Sequence, residues 1–147
     1  MEKSATIRVY DSNSDILVYL YTETDGSLEN MAENLRKFFG HYTLESALKY
    51  RDICNSHTSI KDEVIMSDLG YVTMHILAKI QSFARVTCIT SSIASYKKLD
   101  YRYQIYADDC TQEIMLCIDR CDTIPHRIYD QPLRNFNLKN FSYLNEE

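Results

Sequence analysis

The longest run of helical period in the chain is Ser67 to Arg85, SDLGYVTMHILAKIQSFAR, in which Leu69, Val72, Ile76, Leu77, Ile80, Phe83 and Ala84 recur at three- and four-residue steps. That spacing gathers the apolar side chains into one stripe wide enough to cover a sheet. Ser67 is the expected N-cap, and Asp68 stands in the first turn, where the helix dipole favours a carboxylate.

On either side the pattern changes to period two. Ala5 to Asp11 (ATIRVYD) sets Ile7 and Val9 against Arg8 and Tyr10, and Ile16 to Thr22 (ILVYLYT) follows a turn over Ser12 to Asp15, so the two runs predict an antiparallel hairpin. Asp25-Gly26 ends it, and Ser27 is placed to cap a helix from Leu28 to about Phe39, stopped at Gly40. Thr43 caps a weaker helix to about Cys54, and the polar stretch Asn55 to Asp62 reads as a surface loop. Beyond Arg85 three β-rich runs, Val86 to Ile93, Asp100 to Ala107 and Gln112 to Asp119, predict a meander. In the second of these, Tyr101, Tyr103 and Ile105 share one face while Arg102, Gln104 and Tyr106 share the other.

The expected fold is α+β, a five-stranded antiparallel sheet with two or three helices on one face. Residues 1–121 read as one domain. Residues 122–147, with Pro125, Pro132, Tyr129, Phe136, Phe141 and Tyr143, read as an irregular extension that packs on the domain or on a partner subunit. Leaving such side chains in water would forfeit about 1.5–3 kcal/mol each.

Composition narrows the class. A chain of 147 residues is long enough for one core and has no apolar run near the ~20 residues of a membrane span. Its N-terminus, MEKSATIRVYD, lacks the apolar run of a signal peptide, so the five cysteines are expected as free thiols in a reducing compartment, the cytoplasm. A net charge of −5 disfavours a duplex-DNA binder, which draws most of its affinity from clustered Lys and Arg. Twelve tyrosines without tryptophan, in a chain rich in Asn, Asp, Ile and Lys, suit an AT-rich coding genome such as that of a virus or phage.

The motifs carry a resemblance. Ala5 to Asp11 with Leu17 to Tyr21, Asp25-Gly26 with Glu29, Leu69-Gly70 with Val72 to Ala78, and Asp100 to Ile105 resemble a diffuse family of small phage and viral α+β proteins. That family opens with the same hairpin and D-G turn and later carries a GMGxLAAxLIA-like helix and a DxxYxYxI strand. Thr22-Glu23 stands where the family has a basic or His pair. The resemblance implies a viral accessory protein acting in the host cytoplasm. A more distant likeness in plan is to phage sponge proteins that sequester cyclic ADP-ribose and related signals of host defence.

Three constellations have chemical potential. Cys110, Cys117, Cys121 and His126 are metal-ligand types, but Cys117 falls in a strand and the spacing is not that of a zinc knuckle, so neither a metal nor a cofactor is expected. Cys54 with His57, and Cys88 with His75, pair a thiol with a base without a nucleophile turn, and no catalytic residue is assigned. Asp108-Asp109 and Glu146-Glu147 read as a turn and a tail, and Tyr71, Met74 and His75 as the less buried side of the long helix. The basic-aromatic set is richer: Arg85, Lys97, Lys98, Tyr101, Arg102, Tyr103, Arg120 and Arg127, with Tyr96, Tyr106 and Tyr129 between them. Guanidinium groups pair with phosphates and aromatic rings stack on bases, so these residues suit a nucleotide site, and Tyr and Arg are equally enriched at protein interfaces. The expected function is a non-enzymatic binding protein, a homo-oligomer that contacts a host or viral protein through this surface; the alternatives are a nucleotide sponge or a small hydrolase.

Overall fold

The computed structural model describes residues 2–56, 68–108 and 110–144. The hairpin forms as expected: β1, Ala5–Tyr10, pairs antiparallel with β2, Ile16–Thr22, setting Ile7 opposite Leu20 and Val9 opposite Val18. The Asp11 carboxylate closes its loop by accepting the N–H groups of Asn13 and Asp15, both at 2.9 Å. Ser27 caps the next segment, its Oγ accepting the Asn30 N–H at 3.1 Å, and a π-helical turn at Leu28–Ala32 runs into α1, Glu33–Phe39. Thr43 and Ser46 cap α2, Leu44–Ser56, reciprocally, each side-chain oxygen accepting the other's N–H at 2.9–3.0 Å.

The long helix is α3, Gly70–Ile80, shorter than its apolar pattern at both ends. Leu69, Val72, Ile76 and Ile80 are buried, whereas Leu77 is exposed and Phe83 half-buried. Ser67 and residues 57–62 of the expected loop lie outside the described residues, as do His57, Asp109 and Glu146-Glu147. Asp68 does more than meet a dipole: its carboxylate accepts the Leu69 N–H at 2.8 Å and the Ser12 N–H at 3.2 Å, tying the start of α3 to the hairpin loop. Replacing it orphans two donors at a site only 8% exposed. Asp68→Ala is therefore expected to cost about 1–3 kcal/mol and Asp68→Asn less, read from the urea midpoint.

After α3 the last two strands of the expected meander form and pair antiparallel, but the first does not join them. β3 is only Thr87–Cys88; the β-branched run around it is broken where Thr90 caps a single turn, α4, Ser91–Ala94, its Oγ1 accepting the Ile93 N–H at 3.2 Å. β4, Tyr101–Asp108, β5, Glu113–Arg120, and β6, His126–Pro132, complete a sheet that has six strands among the described residues, in the order β3-β2-β1-β4-β5-β6. The sheet is mixed, not antiparallel throughout, because β4 lies parallel to β1, with Ala5 opposite Tyr101 and Val9 opposite Ile105. Ala5, Thr6, Ile7 and Val9 are fully buried, and a strand so deeply covered needs a partner on each edge. β3 lies beside β2 at one edge, so the β3–α4–β4 connection crosses the sheet.

Residues 122–144 are less irregular than expected. β6 pairs with β5, and its bulge opposite Ile118/Asp119 breaks the alternation that would have marked a strand. Beyond it Leu133, Phe136, Phe141 and Leu144 join the core, with the Phe136 and Phe141 rings stacked at 5.3 Å. The core lies between one sheet face (Ile7, Leu20, Tyr103, Ile105, Leu116, Ile118) and the helices (Met31, Leu35, Phe39, Ile76, Ile80). No helix among the described residues is long and apolar enough to cross a membrane.

Candidate functional site

Side chains alternating with the core rows stand on the opposite face: Thr6, Arg8 and Tyr10 of β1, Tyr19 and Tyr21 of β2, Arg102, Gln104 and Tyr106 of β4, and Cys117 and Asp119 of β5. The β3–α4–β4 connection passes over this face, bringing Ala94, Ser95, Lys97 and Lys98 above Arg8 and Tyr19. Its far end is anchored to the N-terminal segment. The Ser4 N–H donates to Asp100 Oδ2 at 2.9 Å, Ser4 Oγ donates to the Lys98 carbonyl at 3.0 Å, and the Ser4 carbonyl accepts the Asp100 N–H at 3.0 Å.

Between the connection and the sheet lies an open basin of about 480 Å³, lined by Arg8, Tyr19, Lys97, Lys98, Arg102, Cys121 and Asp122 among others. It holds four cationic side chains against one carboxylate, and Asp122 is itself shared with Arg120 at 3.8 Å and His126 at 3.7 Å. Among the described residues no carboxylate comes within ion-pair reach of Arg8, Lys97 or Lys98, and Arg102 reaches Asp119 only at 3.8 Å. The Arg8 guanidinium sits over the Tyr19 and Tyr10 rings, 5.3 and 5.5 Å from their centroids, a cation–π arrangement that leaves its N–H groups uncommitted. Burial raises the Tyr10 phenol above its usual range, and Arg8 opposes the shift.

Buried polar atoms converge here as well. Thr6 Oγ1, Arg8 Nε and Arg102 Nε are buried among the described residues with no protein hydrogen-bond partner. Thr6 is the register partner of Arg102 and lies two residues from Arg8, so the three belong to one patch of the sheet. Leaving such a group unpaired costs about 1–3 kcal/mol, and an Nε donor without an internal acceptor on each of the two guanidiniums favours a bound anion. The Cys121 thiol beside them is raised by burial, an effect that Arg102 opposes.

A second hollow, about 420 Å³, adjoins the basin on the β3 side and is lined by Tyr21, Gln81, Arg85, Val86, Ile89, Ile93 and Lys97 among others. Lys97 lines both spaces, and its Nζ lies 4.7 Å from the centroid of the Tyr21 ring.

The sequence-derived candidates separate into three groups. Lys97, Lys98 and Arg102 come together in the basin, and Arg85 borders the adjoining hollow. Arg120 and Arg127 stand on β5 and β6 in internal ion pairs, Arg127 with Asp119 at 3.0 Å and Asp130 at 3.6 Å. Tyr101 and Tyr103 are in the core, 2% and 0% exposed, with Tyr103 Oη donating to the Gly26 carbonyl at 2.6 Å. Of the tyrosines between them, Tyr96 is exposed, Tyr106 donates to Asp130 at 2.7 Å and Tyr129 to the Pro132 carbonyl at 2.8 Å. Arg8, Tyr19 and Tyr21 were not among the candidates, although the alternation in ATIRVYD and ILVYLYT puts them on the face opposite Ile7 and Leu20.

The other constellations are dispersed. Cys110 is exposed in a turn, and Cys117 is buried in β5, its thiol pushed up to about 12 by burial and by the Asp130 carboxylate. His126 Nδ1 lies 3.0 Å from the Ile124 carbonyl. Among the described residues no three His, Cys, Asp or Glu side chains are grouped to hold a metal ion. His75 Nδ1 is 2.6 Å from Tyr42 Oη within an aromatic cluster; burial lowers the imidazole and lifts the phenol to about 12.

No protein-family model matches the chain, and comparison with curated proteins and with solved structures gives no match.

Proposed function

We propose that the protein is a non-catalytic binding protein that holds a small phosphate-bearing ligand in the open-face basin. The observation that carries this reading is the coincidence in one patch of Arg8, Lys97, Lys98 and Arg102 with the unpartnered Nε atoms of both arginines. A phosphate supplies what those groups lack, an acceptor that several N–H donors can share. The outer part of the same face is less suited to a protein partner, because Arg127, Tyr106, Asp119 and Asp130 already satisfy one another. Holding without turnover fits a Cys121 thiol kept protonated by burial. In the viral setting that the motifs suggest, such a protein would act by occupancy, withdrawing a small anion from circulation.

Pyrophosphate is the first probe. At a hundredfold excess over its Kd it is expected to stabilise the native state by about 2.7 kcal/mol, and Arg8→Ala and Arg102→Ala are each expected to weaken binding at least about tenfold. The pyrophosphate should be recovered intact on denaturation. No thermal shift, or a shift unchanged in the double variant, would overturn the reading, and recovery as orthophosphate would overturn its non-catalytic part.

A further inference from the structure

The hollow beside the basin differs from it in chemistry. Where the basin is cationic, the hollow offers the Tyr21 ring and the Val86, Ile89 and Ile93 side chains, with Gln81, Glu23 and Thr24 at its margin as hydrogen-bonding groups. Val86 is buried, Tyr21 and Ile89 are half-buried, and Ile93 is 47% exposed, so a flat apolar group placed there would be covered on one side by aliphatic carbon. The two spaces share Lys97, whose ammonium rests on Tyr21 without a carboxylate partner among the described residues.

We infer that the two spaces form one site, in which the basin takes the phosphates and the hollow takes the heterocycle of a nucleoside phosphate, with Lys97 moving from the Tyr21 ring to the phosphate as the base takes its place. The inference rests on the basin reading above and adds the ligand class. Exchanging a solvated ammonium for a base leaves the Tyr21 face covered, and it places the displaced charge against the group that most attracts it. Gln81, whose Nε2 donates to the Val86 carbonyl at 3.1 Å, keeps its side-chain carbonyl as an acceptor at the rim of the hollow. Gln81 and Glu23 are then the residues that distinguish one base from another.

The test is a calorimetric titration of the full chain with pyrophosphate and with ADP, GDP, CDP and UDP. At least one nucleoside diphosphate is expected to bind about tenfold or more tightly than pyrophosphate, the increment of one stacked base. Ile93→Ser, a neutral change at a side chain 47% exposed, should reduce that advantage at least severalfold while changing pyrophosphate affinity less than about twofold. Lys97→Ala should weaken both. If pyrophosphate binds and no diphosphate exceeds it, or if Ile93→Ser leaves the preference intact, the two-compartment site is wrong and the basin reading survives. If neither pyrophosphate nor any diphosphate binds, both fall.

Discussion

Deletion of residues 122–147 is expected to abolish cooperative folding. The segment supplies β6, the outer partner of β5, together with Leu133, Phe136, Phe141 and Leu144, each no more than 8% exposed. At about 1.5–3 kcal/mol per buried large side chain these four contribute on the order of 6–12 kcal/mol, as much as the whole net stability of a typical domain. The deletion also bares the β5 edge and loses the ion pair of Arg134 with Glu113, the interaction that holds the Glu113 carboxyl below its usual range. Circular dichroism and gel filtration of the shortened chain should show lost near-ultraviolet signal and aggregation. A shortened chain that melts cooperatively would mean that the segment is dispensable to the core.

The second large effect is at Tyr103. The side chain is fully buried, and its hydroxyl reaches across to the Gly26 carbonyl, at the point where that residue passes so close to β1 that a Cβ on Gly26 would collide with Ala5. Tyr103→Ala is expected to lose about 3–5 kcal/mol, the range for removing a large buried ring, and Tyr103→Phe about 1–3 kcal/mol for leaving the carbonyl without this donor. Arg102→Ala, one position away on the opposite face, should change stability by less than about 1 kcal/mol, since it removes a buried unpaired Nε along with its favourable contacts. Urea midpoints of the three variants separate a core residue from a site residue. Ligand affinity lost in Tyr103→Phe at unchanged stability would reverse the two roles.

That contrast marks how far the sequence could be read. Alternation separated Tyr101 and Tyr103 from Arg102, but it does not say which face will be covered, and Ile105 beside them was the clue that the tyrosines go inward. The hairpin, the Ser27 and Thr43 caps and the helix over Leu28 to Phe39 were legible because each is set by neighbours within a few residues. The parallel pairing of β1 with β4 was not, since a period-two pattern carries no record of its partner. Arg8 is hidden for the same reason: it stands far along the chain from Lys97, Lys98 and Arg102, and the basin is assembled only by that pairing and by the connection crossing above it. β6 was hidden by its bulge, and β3 was overestimated because its β-branched run conceals the Thr90 cap.

The pairing of β1 with β4 also orders events in time. A chain synthesised at about 5–20 residues per second completes β1 roughly 5–20 seconds before β4 emerges to cover its inner edge. During that interval the most deeply buried strand of the sheet is paired only with β2, and its other side is an open template for any extended segment nearby. Newborn chains on neighbouring ribosomes are the nearest such segments. The yield of native protein should therefore depend on the speed and crowding of translation more than on the stability of the finished sheet.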